Sequence, residues 1–362
     1  MKAIILVGGE ATRLLPLTCN ISKAMVPVLN TPFLEHVIRY LSSHEIKDIT
    51  LTLSHLSQPI ESYFGNGSQF GVKISYTMED SPLGTAGAVK NAERYLDETF
   101  LVLNGDIFTD LDITAMIDFH LERKAKATIA STLVEDPTSY GLMETNAKCR
   151  ITQFVEKPDW SQVTTNMVNA GTYVLEPDVL NLIPPQTNFS FEHKLFPLLL
   201  EQGEPMYTYP SFAYWIDIGT PEKYLQLHRD LLNGKSRQYT LASGEEVRGE
   251  SHIYLTAQIK GPVLIGNNCS IGSNVRLIGP AVIGPGCTIL EDVVIEESVI
   301  WHEVQIGRGV RVKNSIVANN CWLNANSIIE DSVLGNNVTV VNGGKLESGS
   351  KIWPGSIVQL DT

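Results

Sequence analysis

The apolar positions of this 362-residue chain fall into two regions with different periods. In the first region short apolar runs alternate with amphipathic stretches. Ala3-Ile4-Ile5-Leu6-Val7 is a continuous apolar run closed by Gly8-Gly9, the pattern of a strand buried on both faces of a parallel sheet. Phe33 to Ser42 predicts a helix and Ile49-Thr50-Leu51-Thr52-Leu53 the next strand. Phe100-Leu101-Val102-Leu103 predicts another strand, ending at Asn104-Gly105-Asp106. Strand–helix alternation of this kind predicts an α/β sheet whose ligands bind beyond the carboxyl ends of the strands. Gly8 and Asp106 both fall at such ends.

In the second region Ile253, Ile259, Ile265, Ile271, Leu277, Ile283, Ile289 and Ile295 recur every six residues. Gly266, Gly272 and Gly284 each follow one of them directly. A six-residue period fits neither a helix nor a hairpin; it predicts a hexapeptide β-helix that stacks one apolar side chain per face. The step breaks at Trp301-His302, resumes at Ile306 and Val312, and is met again at Ile328, Leu334 and Val340. The breaks are expected to be small loops leaving the coil, with His302 a loop residue. Between the two regions lies a polar stretch. The expected organisation is therefore a first domain over 1–235, a linker over 236–250 and a β-helix over 251–362.

Composition narrows the function. With 43% apolar and 19% charged residues, the chain reads as an ordinary globular protein. A net charge of -13 excludes non-specific binding to DNA or RNA, which needs a cationic surface. Five scattered cysteines without a CxxC pair make neither a disulfide framework nor a zinc site, and free thiols in a reducing cytosol are expected. The N-terminal apolar run is too short for a signal peptide, and no stretch approaches the ~18 apolar residues of a membrane span. The expectation is a cytoplasmic protein.

The candidate chemistry begins at Gly8-Gly9-Glu10-Ala11-Thr12-Arg13-Leu14, directly after a strand. Backbone N–H groups of such a turn form an anion nest, and Arg13 adds a planar charged fork for a polyphosphate. This loop, together with Ser22-Lys23-Ala24-Met25-Val26-Pro27-Val28, resembles the opening signature of the sugar-1-phosphate nucleotidyltransferases. Further matching segments follow in order. They are Pro82-Leu83-Gly84-Thr85-Ala86-Gly87, Asn104-Gly105-Asp106, Tyr140-Gly141, Glu156-Lys157-Pro158, Asn169-Ala170-Gly171 and Trp215-Ile216-Asp217-Ile218-Gly219-Thr220. The hexapeptide region is similar to the C-terminal left-handed β-helix that some members carry. The resemblance implies a Rossmann-like nucleotidyltransferase domain with a mixed, mainly parallel sheet, followed by that β-helix.

It also implies an activity: a hexose 1-phosphate oxygen attacks the α-phosphorus of a nucleoside triphosphate, in line with departing pyrophosphate. Two anions must meet, so the protein chiefly supplies positive charge and positioning. By the same resemblance Arg13, Lys23 and Asp106 are catalytic, and Gly8, Gly9, Thr12, Glu79, Gly84 and Thr85 bind the nucleotide. Gly141, Glu156, Lys157 and Asn169 bind the sugar phosphate, and Asp106 and Asp217 hold Mg²⁺. Two departures stand out: Ala11 replaces a usual glycine, and Ser22 a usual proline. A methyl at position 11 is tolerated at negative φ and costly in the left-handed region.

Glu79 aligns with the base-reading position. A carboxylate only accepts hydrogen bonds, and guanine is the common base offering two adjacent donors on its Watson–Crick edge. Glu79 thus favours GTP, and the likeness of Pro82 to Gly87, Asn169-Ala170-Gly171-Thr172-Tyr173 and Val341-Asn342-Gly343-Gly344-Lys345 to mannose-1-phosphate guanylyltransferases implies mannose 1-phosphate as the other substrate, with glucose 1-phosphate and UTP, dTTP or ATP the runner-up. A catalytically weak subunit that senses sugar nucleotides is a third reading. The sides of a β-helix are commonly covered by another subunit, so a homo-oligomer is expected.

Overall fold

In a computed structural model of the chain, residues 1–9, 11–54, 57–239, 245–247 and 249–359 are described. Glu10 of the glycine loop, and residues 240–244 and 248 of the expected linker, lie outside them. Packing divides the chain into two compact units: Met1–Glu10 with Leu34–Trp215, and Ala11–Phe33 with Ile216–Thr362.

The first unit is built on a nine-stranded mixed sheet. Its strands are β1 (Lys2–Leu6), β2 (Asp48–Leu53), β3 (Lys73–Met78), β4 (Phe100–Asn104), β5 (Ala127–Leu133), β6 (Gly141–Thr145), β7 (Ile151–Glu156), β8 (Met167–Leu175) and β9 (Met206–Pro210). The main path runs β7-β6-β8-β4-β1-β2-β3, with β5 pairing β8 and β9. β4, β1, β2 and β3 are parallel, and their register sets Leu6 beside both Asn104 and Thr52. Their carboxyl ends therefore finish together. The apolar run of β1 explains its central place: Ala3, Ile4 and Ile5 are fully buried between neighbours on either side. Helices α1 (Phe33–Ser43), α2 (Gln58–Phe64), α3 (Gly84–Asn91), α4 (Ile113–Arg123) and α5 (Phe196–Glu201) accompany the strands. The core on one face joins Ile4, Val102 and Ile129 of the sheet to Ala86 and Val89 of α3 and Phe196 of α5. Strand β8 runs antiparallel to β4, β5 and β6, and its register with β5 shifts between Asn169 and Tyr173, around a left-handed Gly171.

The second unit contains the β-helix. Three parallel sheets of seven, seven and five strands form its faces. Ile265, Ile271, Leu277, Ile283, Ile289 and Ile295 all point inward and are buried, as their six-residue step demands. The breaks in that step are not loops. The register pairs Ile265 with Ile283, 18 residues on, but Ile283 with Ile300, 17 on. One corner of each of the next three coils is a residue shorter, the last pairing, Leu334 with Ile352, is again 18 residues on, and the described chain stays in the stack. The shortened corners are Glu297-Ser298, Asn314-Ser315 and Asp331-Ser332, the first residue of each left-handed at φ 46°. The buried serines make the tighter corner possible. Ser298 Oγ accepts from Ser315 N at 3.1 Å and Ser315 Oγ from Ser332 N at 3.0 Å, while each hydroxyl donates to the carbonyl two residues earlier. The inward position after Val312 is accordingly Val317 and then Leu323 and Ile329, not Ile328. Glu245–Val247, within the expected linker, is already the first strand of one face.

The same unit holds residues 11–33 and helix α6 (Pro221–Leu232). Fully buried Trp301 donates from Nε1 to Tyr224 Oη of α6 at 3.0 Å, and Tyr224 Oη donates to Pro27 O. His228 Nε2 accepts from Leu29 N at 3.2 Å, and Asn30 Nδ2 donates to Ile283 O at 2.9 Å. The segment carrying Arg13 and Lys23 is thereby tied to the coil. Trp301, read as the start of a break, is an anchor. Among the described residues no helix is long and apolar enough to cross a membrane.

Candidate active site

In the first unit the candidate residues gather at the carboxyl ends of the parallel strands. Gly8 and Gly9 follow β1, Glu79 follows β3 and Asp106 follows β4. Gly105 allows this: its N–H donates to Leu6 O at 2.9 Å, and a Cβ there would lie 2.4 Å from that oxygen. Asp106 is thus held beside the end of β1, half-buried. A methyl on Gly8 would lie 3.1 Å from Glu79 Oε1, so the carboxylate rests against the glycine turn. Glu79 Oε2 accepts from Leu83 N at 3.1 Å. Burial pushes the Glu79 carboxyl above the usual carboxylate range, and the Leu83 bond offsets part of that. A methyl on Gly9 would meet nothing within 4 Å.

Gly84 and Thr85 open α3 against the segment 187–192. Gly84 is left-handed at φ 70°, and a Cβ would lie 2.9 Å from Phe189 O. Thr85 Oγ1 accepts from Phe191 N at 2.9 Å and donates to Glu192 Oε2 at 3.2 Å. Both residues shape the turn after Glu79, and the Thr85 hydroxyl is committed to Glu192.

Gly141, Glu156, Lys157 and Asn169, the residues expected to bind the sugar phosphate, form a second group. Gly141 of β6 pairs with Glu156 of β7, and a Cβ at 141 would stand 2.8 Å from Glu156 Oε2. Lys157 is left-handed at φ 47°; its ammonium is 4.0 Å from Glu156 Oε1 and its side chain mostly exposed. Asn169 is oriented at both ends, with Oδ1 accepting from Gly171 N at 2.9 Å and Nδ2 donating to Tyr173 Oη at 3.0 Å. Tyr173 Oη donates in turn to Glu192 Oε1 at 3.2 Å, and Ser190 Oγ donates to Glu192 Oε2 at 2.9 Å. Burial pushes the Glu156 carboxyl up, and the nearby Glu192 charge pushes it further. Glu192 is a residue that the motifs did not single out. It is the second residue of the π-helical turn Phe191–Leu195 capped by Ser190, and no residue pattern marked it as the hub joining Thr85, Tyr173 and Asn169.

In the second unit the left-handed Ala11 (φ 50°) caps the short 3₁₀ turn Thr12–Leu14, which carries Thr12 and Arg13. The alanine thus occupies the costly one of its two possible conformations. Ser22 caps the turn Lys23–Met25, its Oγ accepting from Ala24 N at 3.4 Å, which replaces the rigidity of a proline by a hydrogen bond. Asp217 ends a short strand, Trp215–Asp217, and is 7% exposed. Its Oδ1 accepts from Gly219 N at 3.1 Å, and its Oδ2 pairs with the Lys223 ammonium. A Cβ on Gly219 would lie 2.6 Å from Asp217 Oδ1 and 2.9 Å from Arg13 Nη2, so the guanidinium lies beside this turn. Lys223 is the second residue the motifs missed: it lies just past the Trp215–Thr220 segment, in the first turn of the helix that Thr220 caps. Among the described residues no cluster of three or more His, Cys, Asp or Glu side chains offers a metal cage.

Residues 2–234 match the nucleotidyl transferase family model, and residues 247–346 match that of the EIF2B subunit epsilon LbH domain. The chain is 35% identical over 338 residues to a UTP–glucose-1-phosphate uridylyltransferase of Synechocystis sp., covering 88% of this chain and 87% of the relative. It is 34% identical over 364 residues to a mannose-1-phosphate guanyltransferase of Candida albicans, covering 98% and 96%. HddC from Yersinia pseudotuberculosis, a solved structure 31% identical in sequence, superposes with a TM-score of 0.55 over 62% of this chain and 97% of that one. A putative glucose-1-phosphate thymidylyltransferase from Bacillus anthracis, 24% identical, covers 63% and 93% with a TM-score of 0.58 and supports the fold.

Proposed function

The chain belongs to the nucleotidyl transferase family and is a sugar-1-phosphate nucleotidyltransferase with a left-handed β-helix, and we propose that it makes GDP-mannose from GTP and mannose 1-phosphate. The observation that carries the guanine reading is Glu79. Its carboxylate is half-buried against Gly8, with one oxygen committed to Leu83 N and Oε1 turned to the glycine. An ionised acceptor in a partly desolvated position suits the adjacent ring N–H and amino donors of guanine. Uracil and thymine flank one N–H with two carbonyls, which a carboxylate repels. The Synechocystis relative favours a second reading, UTP with glucose 1-phosphate, and Glu79 is the residue that argues against it.

In this mechanism Arg13 holds the β- and γ-phosphates and stabilises departing pyrophosphate, while Lys23 offsets charge in the transition state. Lys157 binds the sugar phosphate, and Glu156 accepts hydroxyls of the hexose. Asn169, held at both ends by Gly171 N and Tyr173 Oη, presents a fixed amide to the sugar. Asp106 and Asp217 are the residues that would hold Mg²⁺. The hard carboxylate oxygens suit it, and Asp217 Oδ2 already faces a cation, the Lys223 ammonium. When bound, the ion neutralises phosphate charge. The protein is further proposed to work in the cytoplasm, consistent with five free thiols, and to self-associate through the β-helix, which exposes Trp322 and Ile357.

The test is pyrophosphate release with Mg²⁺, each of five nucleoside triphosphates, and mannose or glucose 1-phosphate. GTP with mannose 1-phosphate is the expected pair, with turnover lost in Asp106→Ala. Glu79→Gln should lower kcat/KM for GTP about 100-fold and narrow the preference over UTP. Guanine needs ionised Glu79, so the KM for GTP should rise as pH falls through the raised Glu79 pKa. A preference for UTP in the unaltered protein would sink the guanine assignment and keep the reaction class.

A further inference from the structure

We propose that the Lys223 ammonium is a built-in counter-cation of Asp217, displaced from that carboxylate when a divalent ion binds, so that Lys223 sets the protein's metal affinity. The inference rests on the reading of Asp217 as a metal ligand.

Asp217 is 7% exposed, and a carboxylate taken that far out of water needs compensation. Both of its oxygens are committed. Oδ1 takes the Gly219 N–H at 3.1 Å, a bond fixed by a turn in which only glycine fits. Oδ2 takes Lys223, whose partners are of another kind. The Lys223 backbone is fixed, its N–H donating to Thr220 Oγ1 at 3.4 Å within the cap of α6. Its ammonium rides on a flexible four-carbon stem, and the side chain is 37% exposed. Rotation about that stem moves the ammonium without moving the helix.

The two attractions are unequal. A partly exposed lysine–carboxylate pair gains little, because solvent screens it and the long side chain loses freedom. A divalent ion brings twice the charge to the same oxygen and no side-chain entropy cost. Lys223 is therefore strong enough to hold the Asp217 carboxylate in place without metal, and weak enough to yield to it. The cost is a penalty on metal affinity equal to the pair that must be broken. Arg13 does not supply this function: its guanidinium lies by Gly219, on the Oδ1 side of the carboxylate.

The experiment is Mn²⁺ binding to the full chain, followed by electron paramagnetic resonance of free Mn²⁺, without nucleotide. Lys223→Gln keeps the length and the cap and should bind Mn²⁺ about fivefold more tightly than the unaltered protein. Lys223→Arg retains the cation and should stay near the unaltered value, while Asp217→Asn should bind least. Equal or weaker binding by Lys223→Gln overturns the proposal, as does undetectable Mn²⁺ binding by both the unaltered protein and Lys223→Gln. Pyrophosphate release, measured separately, distinguishes the failures. An enzyme that loses turnover in Asp217→Asn but shows no tightening in Lys223→Gln keeps its reaction and loses only the exchange.

Discussion

The nine-stranded sheet and the β-helix both use parallel strands, yet they spend their residues differently. In the coil a position is defined by its place in a repeat: Ile271, Ile289, Ile306, Leu323 and Val340 do the same work on successive rungs. In the sheet each position has one particular neighbour, as Gly105 has Leu6 O and Gly141 has Glu156. A repeat tolerates small variations in length, as the three shortened corners show, because each rung contacts only the next. The sheet unit cannot, because its strand ends carry side chains that must converge. Trp301 is an exception within the coil: its side chain reaches out of the repeat to Tyr224 and, through it, to the segment bearing Arg13 and Lys23.

That exception gives the sharpest way to break the comparison. Trp301→Ala removes a fully buried indole and should cost about 3–5 kcal/mol, read from denaturant unfolding. It should also lower turnover, whereas an outward substitution on another rung, such as Thr339→Ala, should leave turnover unchanged. Turnover unaffected in folded Trp301→Ala would make the anchor only a packing residue.

A smaller effect is expected at Glu192, which joins Thr85, Tyr173 and Ser190 of the sheet unit outside any repeat. Glu192→Gln should raise the KM for sugar phosphate about tenfold, through a loosened Tyr173–Asn169 chain. Removing the Glu192 charge also lowers the Glu156 pKa. The acidic limb of the kcat/KM profile should therefore move to lower pH, a shift that a purely structural role would not produce. The smallest effect belongs to Ala11. Glycine at this left-handed position should stabilise the protein by about 1 kcal/mol, seen as a higher melting temperature. No gain would mean that its surroundings already accommodate the methyl.

The thiols follow the same contrast. Cys287 and Cys321 fill inward corner positions of the coil, donate to Trp301 O and Gly335 O, and are pushed by burial up to about 12. Cys19 and Cys149, outside the coil, are the partly exposed pair.

The six-residue step was legible because periodic burial writes itself onto every rung, and the strands at 3–7, 49–53 and 100–103 because a doubly buried strand must be apolar throughout. The shortened corners were also written, as an acidic or amide residue before serine at 297, 314 and 331. Periodicity alone does not distinguish them from loops, because a one-residue deletion and an excursion disturb a period in the same way. The motifs marked Gly8, Glu79, Asp106, Gly141, Glu156 and Asn169, since their places depend on local backbone shape or on a strand end. What only the tertiary structure decided were the partners. Lys223 closes on Asp217 across a helix cap, Glu192 gathers Thr85 and Tyr173 from distant segments, and Trp301 holds the segment bearing Arg13 and Lys23 to the coil. Periodicity and local turns are properties of neighbours along the chain. The pairing of a charge or hydroxyl is settled by which segments meet in space, and no local pattern records it.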